Sequence, residues 1–202
     1  MARYVLPYGK PRGERADAAR NRELLLATAR EMIAEHGVAK VTMDGLAERA
    51  GLGKGTVFRR FGTRAGIFRA LLDADERRFQ ERVLTGPPPL GPGADPIDRL
   101  VAYGRARIAF LLDHQDISRA ALERDRPAPI AADMTQLHLR VLLDRAGVRM
   151  PHMEGVTVQL TAALEGPMLL ALSAAETAPP LEPDVEPMLA DAWQVLIERL
   201  VR

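Results

Sequence analysis

Apolar residues recur at three- and four-residue intervals along most of the chain, and nowhere do they alternate with polar ones over a useful length. Leu25, Ala29, Met32 and Ile33 mark a first helix that begins at Ala19 and closes at "EHG", with Gly37 as its C-cap. Thr42 is an N-cap for a short second helix, Met43 to Ala50. Gly51-Leu52-Gly53 makes a turn, and a third helix runs from about Lys54 to Phe61. Thr63 caps a fourth that reaches Val83, with Ile67, Phe68, Leu71 and Leu72 as its apolar stripe. Residues 85 to 96, "TGPPPLGPGADP", are too rich in Pro and Gly for a helix and divide the chain. Five further helical patterns follow: Ile97–His114, Ile117–Arg124, Ile130–Ala146, Val156–Ala175 and Val185–Val201. The pattern predicts an all-α protein of about nine helices with no internal repeat.

Composition narrows the class. The 202 residues are 47% apolar and 27% charged, ordinary values for a globular protein. The absence of cysteine excludes disulfides and thiolate metal sites and fits a reducing cytoplasm. The first 20 residues lack the apolar stretch of a signal peptide. The most apolar segment, Val156–Ala175, is interrupted by Gln159, Glu165, Pro167 and two threonines, which argues against a membrane span. Charge is unevenly distributed. Residues 1–64 hold 13 Lys and Arg against 7 Asp and Glu, and residues 65–202 hold 15 against 20. A basic first third on an acidic remainder points to nucleic acid at the front of the chain, with chance segregation of solvated charge as the plainer reading. The expected organisation is a flexible basic arm at 1–18, a DNA-binding head at 19–64, and a body at 65–202 in which helix 63–83 is the connector.

Two short helices around a glycine turn form a helix-turn-helix. Leu46, Ala47, Ala50, Leu52, Val57 and Phe61 supply the apolar contacts that lock the pair, and the two alanines let the helices cross closely. With Val57 and Phe61 inward at four-residue spacing, Lys54, Thr56, Phe58, Arg59 and Arg60 face outward. The helix N-terminus suits phosphate, Gly55 allows close backbone approach, and Arg and Lys can bond guanine edges or phosphate.

The stretch "LLLATAREMIAEHG", "VTMDGLAERAGLGKGTVFRRF", "GTRAGIFRALL", about Arg20 to Leu72, resembles the DNA-binding domain of the TetR (tetracycline repressor) family of transcriptional regulators. The resemblance implies that Lys54, Gly55 and Thr56 open a recognition helix and meet bases or adjacent backbone. Phe58 stands where the family commonly has a tyrosine; lacking the hydroxyl, it keeps apolar contact, for example with a thymine methyl. Arg59 reaches the groove, and Arg60 replaces a frequent histidine as a donor. Arg64 replaces a frequent lysine and grips phosphate, and Thr42 both caps its helix and donates to phosphate. Gly62 replaces a proline or lysine with little consequence. The arm, with Arg3, Lys10, Arg12 and Arg15, is either a minor-groove reader or a solvated tail. Arg20 and Arg22 are phosphate contacts.

For the body, the resemblance implies a small-molecule pocket, a homodimer through the last two helices, and release of a palindromic double-stranded DNA operator on effector binding. Leu160, Ala163, Leu164, Pro167 and Ala171, with Met188, Leu189, Ala192, Val195, Leu196 and Leu200, are the apolar stripes suited to a dimer seam. Tyr103, Arg107, Phe110 and His114 share one helix face, and His138, Gln159 and Glu165 are polar positions on otherwise apolar helices, so these seven are the ligand candidates. His138 is equally a core histidine, and Arg107 equally an ion-pair partner. No cofactor or metal is implied. Neither serine sits in a nucleophile elbow, the four histidines show no metal-ligand spacing, and "GLGKGT" lacks the spacing and preceding strand of a phosphate loop, so an enzyme is not expected. The alternative function is a helical dimer that binds a small molecule or serves structure without touching DNA.

Overall fold

The computed structural model describes residues 12–122, 132–173 and 184–202. Among these the chain is all-α: α1 Arg12–His36, α2 Met43–Arg49, α3 Lys54–Phe61, α4 Arg64–Thr85, α5 Pro96–Asp113, α6 Gln115–Ala121, α7 Ala132–Arg145, α8 Met153–Ser173 and α9 Val185–Leu200, plus one 3-10 turn at Val38–Lys40. The chain divides into two compact units, residues 1–71 and 72–202, with the boundary inside α4.

The first unit is a small head. Leu25, Leu26, Ala29 and Met32 of α1 form its core with Val41, Leu46, Ala47, Val57, Phe61, Ile67, Phe68 and Leu71, all buried. Thr42 caps α2, its hydroxyl accepting from Gly45 N at 3.0 Å. Between α2 and α3, Leu52 N donates to Ala47 O and Gly51 takes φ 64°, a left-handed helix ending that favours glycine. Between α3 and α4 the chain turns more tightly. Thr63 N donates to Phe61 O across a single residue, and Gly62 takes φ 72°, ψ −56°. That is the strained form of γ-turn, so Gly62 is required there and is not the neutral replacement expected.

α1 begins at Arg12, seven residues before the expected start, so the arm is helical from that point. Arg12 to Ala18 hold one glycine among good helix formers, and propagation from an established helix outweighs a single glycine. Arg3 and Lys10 lie outside the described residues.

The second unit packs Phe79, Val83, Leu100, Tyr103, Ile108, Leu139, Leu142, Leu143, Leu160, Leu164, Trp193 and Ile197 into one core. α5 is its central element, in contact with α7, α8 and α9. α5 meets α9 closely at Gly104: a Cβ there would lie 1.9 Å from Trp193 Nε1. The indole N–H donates to Leu100 O at 3.0 Å, which fixes the ring. α8 is long and apolar enough to cross a membrane by length and composition, but Leu160, Leu164, Glu165 and Met168 are buried within the unit. On α8 the expected dimer stripe is split. Leu160, Leu164 and Ala171 are buried, whereas Val158, Ala162, Ala163 and Leu169 are exposed. α8 is apolar nearly all round, so period alone could not choose the outward face.

Candidate nucleic-acid interface and buried charge network

α3 has the expected bounds. Val57 and Phe61 anchor it, and Lys54, Gly55, Phe58, Arg59 and Arg60 are exposed, with Thr56 half-buried. Phe58 is 51% exposed, an unusual aromatic placement on a charged helix. Gly53 provides no side-chain cap, and with Thr56 N donating to Gly53 O at 2.8 Å, the Lys54 and Gly55 N–H groups at the start of α3 keep capacity for an anion. Gly55 faces open space.

The cations are held lightly. Lys54 Nζ lies 2.8 Å from Asp44 Oδ2, but both side chains are more than 60% exposed, and such pairs contribute about 0–1 kcal/mol. Arg59 Nε donates to Gly55 O at 3.2 Å, and Arg60 Nη2 donates to Ala18 O on α1 at 2.8 Å. Each keeps other donors for a partner. Arg49 ties α2 to α1 by donating to both carboxylate oxygens of Glu35, one at 2.6 Å, which holds the Glu35 carboxyl below its ordinary range. Arg20 pairs with Asp17 on its own helix.

Arg64 is engaged differently from expectation. Its Nε donates to Val41 O and its Nη2 to Val38 O, each at 2.7 Å, and its guanidinium lies 4.8 Å from the Phe68 ring centroid. It is half-buried and joins the start of α4 to the segment before α2. Val38 O already accepts from Val41 N at 3.2 Å, and the arginine fork adds a second donor there and one to Val41 O. The geometry assigns it to holding the head together, with only one guanidinium nitrogen left over.

All seven ligand candidates lie in the second unit, and six of them gather in one network. Arg107 is almost wholly buried. Its Nε donates to Glu165 Oε1 at 2.9 Å and its Nη1 to Glu76 Oε2 at 2.6 Å. Burial opposes its charge, but Glu165 and Glu76 outweigh that and hold its pKa above the ordinary value. Phe79 and Phe110 flank the guanidinium at 5.6 and 5.3 Å from their centroids. Phe110 stacks on His114 at 4.3 Å, and His114 Nε2 lies 3.3 Å from Asp75 Oδ2. Tyr103 O–H donates to Thr135 Oγ1, which in turn reaches Glu165 Oε1 at 3.4 Å. Burial pushes the Tyr103 phenol up to about 12. His138 lies 4.6 Å from Tyr103 between ring centroids. Burial, together with the charges of Arg99 and Arg145, pushes the His138 imidazole down to about 4.

Gln159 does not join them; it is exposed on α8. Asp75, Glu76, Phe79 and Thr135 belong to the network and escaped sequence reasoning. A signal existed: Asp75 and Glu76 interrupt the stripe Phe68, Leu72, Phe79, Val83, and acids at such positions need buried partners. Separately, a small apolar cleft of about 10 Å³, room for about one water, is lined by Ile108, Leu111, Leu112, Leu164, Pro167, Met168 and Leu189. None of the seven candidates lines it.

Comparison with known proteins follows these divisions. Residues 25–71 match the family described as bacterial regulatory proteins, tetR family. A TetR-family transcriptional regulator from Pectobacterium atrosepticum superposes with a TM-score of 0.67 at 20% identity, covering 93% of this chain and 95% of that one. RolR in complex with its ligand resorcinol gives 0.56 at 20% identity over 93% and 95%. A TetR-like regulator from Rhodococcus sp. RHA1 gives 0.52 at 21% identity over 91% and 94%. None of the curated proteins compared with the chain matches it in sequence. Residues 25–71 thus match that family in sequence, and the chain shares the fold of these solved proteins over more than nine tenths of its length.

Proposed function

We propose that the chain is a ligand-responsive transcriptional repressor of the cytoplasm, released from a palindromic operator by a small-molecule effector. The observation that carries this is the exposed flank of α3, where Lys54, Arg59 and Arg60 surround the solvent-facing Phe58. In the major groove, Lys54, Gly55 and Thr56 meet bases or the nearest backbone, Arg59 and Arg60 donate to bases or phosphate, and the Phe58 ring meets a thymine methyl. The Thr42 hydroxyl accepts from Gly45 N and retains its proton for a phosphate oxygen.

A second copy of the chain covers the exposed face of α8 and α9. Val158, Leu169, Met188, Val195 and Leu196 are 41–59% exposed there, with the small Ala162, Ala163 and Ala192 also exposed. Large residues beside small ones allow two helix pairs to interdigitate, and the resulting homodimer offers two heads to two half-sites.

The effector acts on the network around Arg107, among Tyr103, Phe110, His114, His138 and Glu165. Glu76 of α4 is one of the two carboxylates that hold Arg107, so a ligand that alters that pairing alters how α4 is held. A differential affinity for the two arrangements of about 1–3 kcal/mol suffices for the coupling. That RolR was solved with resorcinol supports a small-molecule effector here as well.

The test is selection of duplexes from fragmented genomic DNA by the full chain, followed by footprinting. Two similar half-sites related by a dyad, with centres about one helical turn or a multiple apart, are expected. A single undivided site, or no enrichment at low salt, contradicts the proposal and favours a helical dimer that does not read DNA.

A further inference from the structure

Among the described residues of the second unit, buried charges have counter-charges, with one exception. Arg107 has two carboxylates; Arg99 has none. Arg99 is 6% exposed, and its Nη2 donates to Val83 O at 3.2 Å, near the C-terminal end of α4. Its Nε is buried with no hydrogen-bond partner, and no ion pair is made by Arg99 among the described residues. A helix C-terminus offers partial negative charge, less than a guanidinium carries. Buried groups left this way call for an explanation, commonly a water or an ion.

The surroundings of Arg99 add cations. Arg99 and Tyr103 lie one turn apart on α5, and the Tyr103 ring packs on His138 of α7. His138 and Arg145 lie two turns apart on the same face of α7, with the buried Leu142 between them. His138 Nε2 is a second buried atom without a partner. Burial and the nearby Arg145 charge both lower the Arg99 pKa, and the two arginines together lower that of His138. Arg145 itself is exposed. Two orphaned nitrogens and a solvent-side arginine thus share one place, at the first turns of α5 and the facing side of α7. No described carboxylate accompanies them. The charge and the hydrogen bonds are both completed by one group: an oxygen-bearing anion.

We propose that Arg99, His138 and Arg145 form a binding site for a single oxyanion group, the carboxylate or phosphate of a small molecule. Arg99 Nε–H and the His138 Nε2–H tautomer donate to its oxygens from within, and Arg145 meets it at the solvent side. A water would accept from both nitrogens but leave the guanidinium charge uncompensated. The site lies wholly within the second unit and does not depend on DNA; it shares His138 with the residues proposed for the effector but uses none of Arg107, Glu76 and Glu165.

The test titrates the full chain with inorganic phosphate and, separately, with benzoate, at ionic strength held constant with chloride. Two signals are followed: the Arg99 Nε–H and His138 ring resonances by NMR, and the fluorescence of Trp193. That residue is the single tryptophan, bonded to the carbonyl of Leu100 next to Arg99. A saturable shift with at least one anion is expected, and the anion that saturates identifies a phosphate or a carboxylate as the preferred group. Arg145→Gln, at an exposed position that leaves the core intact, is expected to weaken it roughly fivefold. Arg99→Gln is expected to abolish it. Linear, unsaturated shifts with both anions overturn the proposal. So does saturation with the same midpoint in the Arg145→Gln protein, or a crystal grown in phosphate that shows only water between Arg99 Nε and His138 Nε2.

Discussion

Replacing Arg107 by methionine removes the cation between a buried and a partly buried carboxylate, and its cost can be worked from the contacts. Arg107 and Glu165 side chains are 2% and 9% exposed, and Glu76 is 23% exposed. After the change, Glu165 retains only the Thr135 hydroxyl at 3.4 Å, while Glu76 retains Gln80 Nε2 at 2.8 Å and some access to water. Breaking a buried pair from one side costs about 3–5 kcal/mol. The rings of Phe79 and Phe110 lose the guanidinium but gain a thioether, which offsets part of that second loss. A net loss of about 3–4 kcal/mol is therefore expected, a large share of the roughly 5–15 kcal/mol that holds a folded protein. Urea unfolding followed by Trp193 emission reads it directly, because the only tryptophan is buried in the second unit. With a slope of about 1–3 kcal/mol per molar urea, the midpoint drops by about 1–4 M. Arg107→Met/Glu165→Met is expected to be less damaging than the sum of its parts by about 1–3 kcal/mol, since no buried carboxylate is then left alone. A single variant that loses less than about 1 kcal/mol, or strict additivity in the double, refutes the reasoning.

Gly104→Ala brings a methyl to 1.9 Å from Trp193 Nε1, so the indole must move and its bond to Leu100 must weaken. Overpacking of about 1–3 kcal/mol or more, less about 1 kcal/mol of gained helix propensity, predicts a destabilised protein with altered Trp193 emission; unchanged emission and higher stability contradict it. His138, held at about 4, binds its proton less readily folded than unfolded. Its contribution is complete above about pH 6.5 and is lost as pH falls to about 4, by at most about 3 kcal/mol. Thermal unfolding of His138→Leu should accordingly lose less stability over that window than the wild type, and parallel curves contradict the assignment. Arg64→Ala removes donors from Val38 O and Val41 O and should loosen the head by about 1–3 kcal/mol, read as faster amide exchange there. A salt slope reduced by about one unit with exchange unchanged would return Arg64 to the phosphate role.

The head was legible because its determinants are local. Thr42 caps three residues ahead, the turn glycines sit beside the helices they separate, and Val57 and Phe61 are one turn apart, so the place of α3 was legible. The Tyr103, Arg107, Phe110, His114 face of α5 was legible for the same reason. What lay opposite it was not. Glu76 is 31 residues from Arg107 and Glu165 is 58, and such pairings leave no trace in a helical period. Arg64 shows the same limit, since its acceptors are backbone carbonyls 23 and 26 residues earlier, which no side-chain pattern announces. Gln159 was misplaced because α8 is apolar on nearly every side, so a lone polar residue there does not report which way it faces.

The central claim is that the outward flank of α3 neutralises DNA phosphates and reads the groove. It is tested most directly by the slope of log affinity against log salt for an operator duplex, measured for the wild type and for Lys54→Ala/Arg59→Ala/Arg60→Ala. Two to three lost phosphate or base-edge cations predict weaker binding and a slope shallower by up to about 2–3 units. Equal slopes and equal affinities for the two proteins would contradict it.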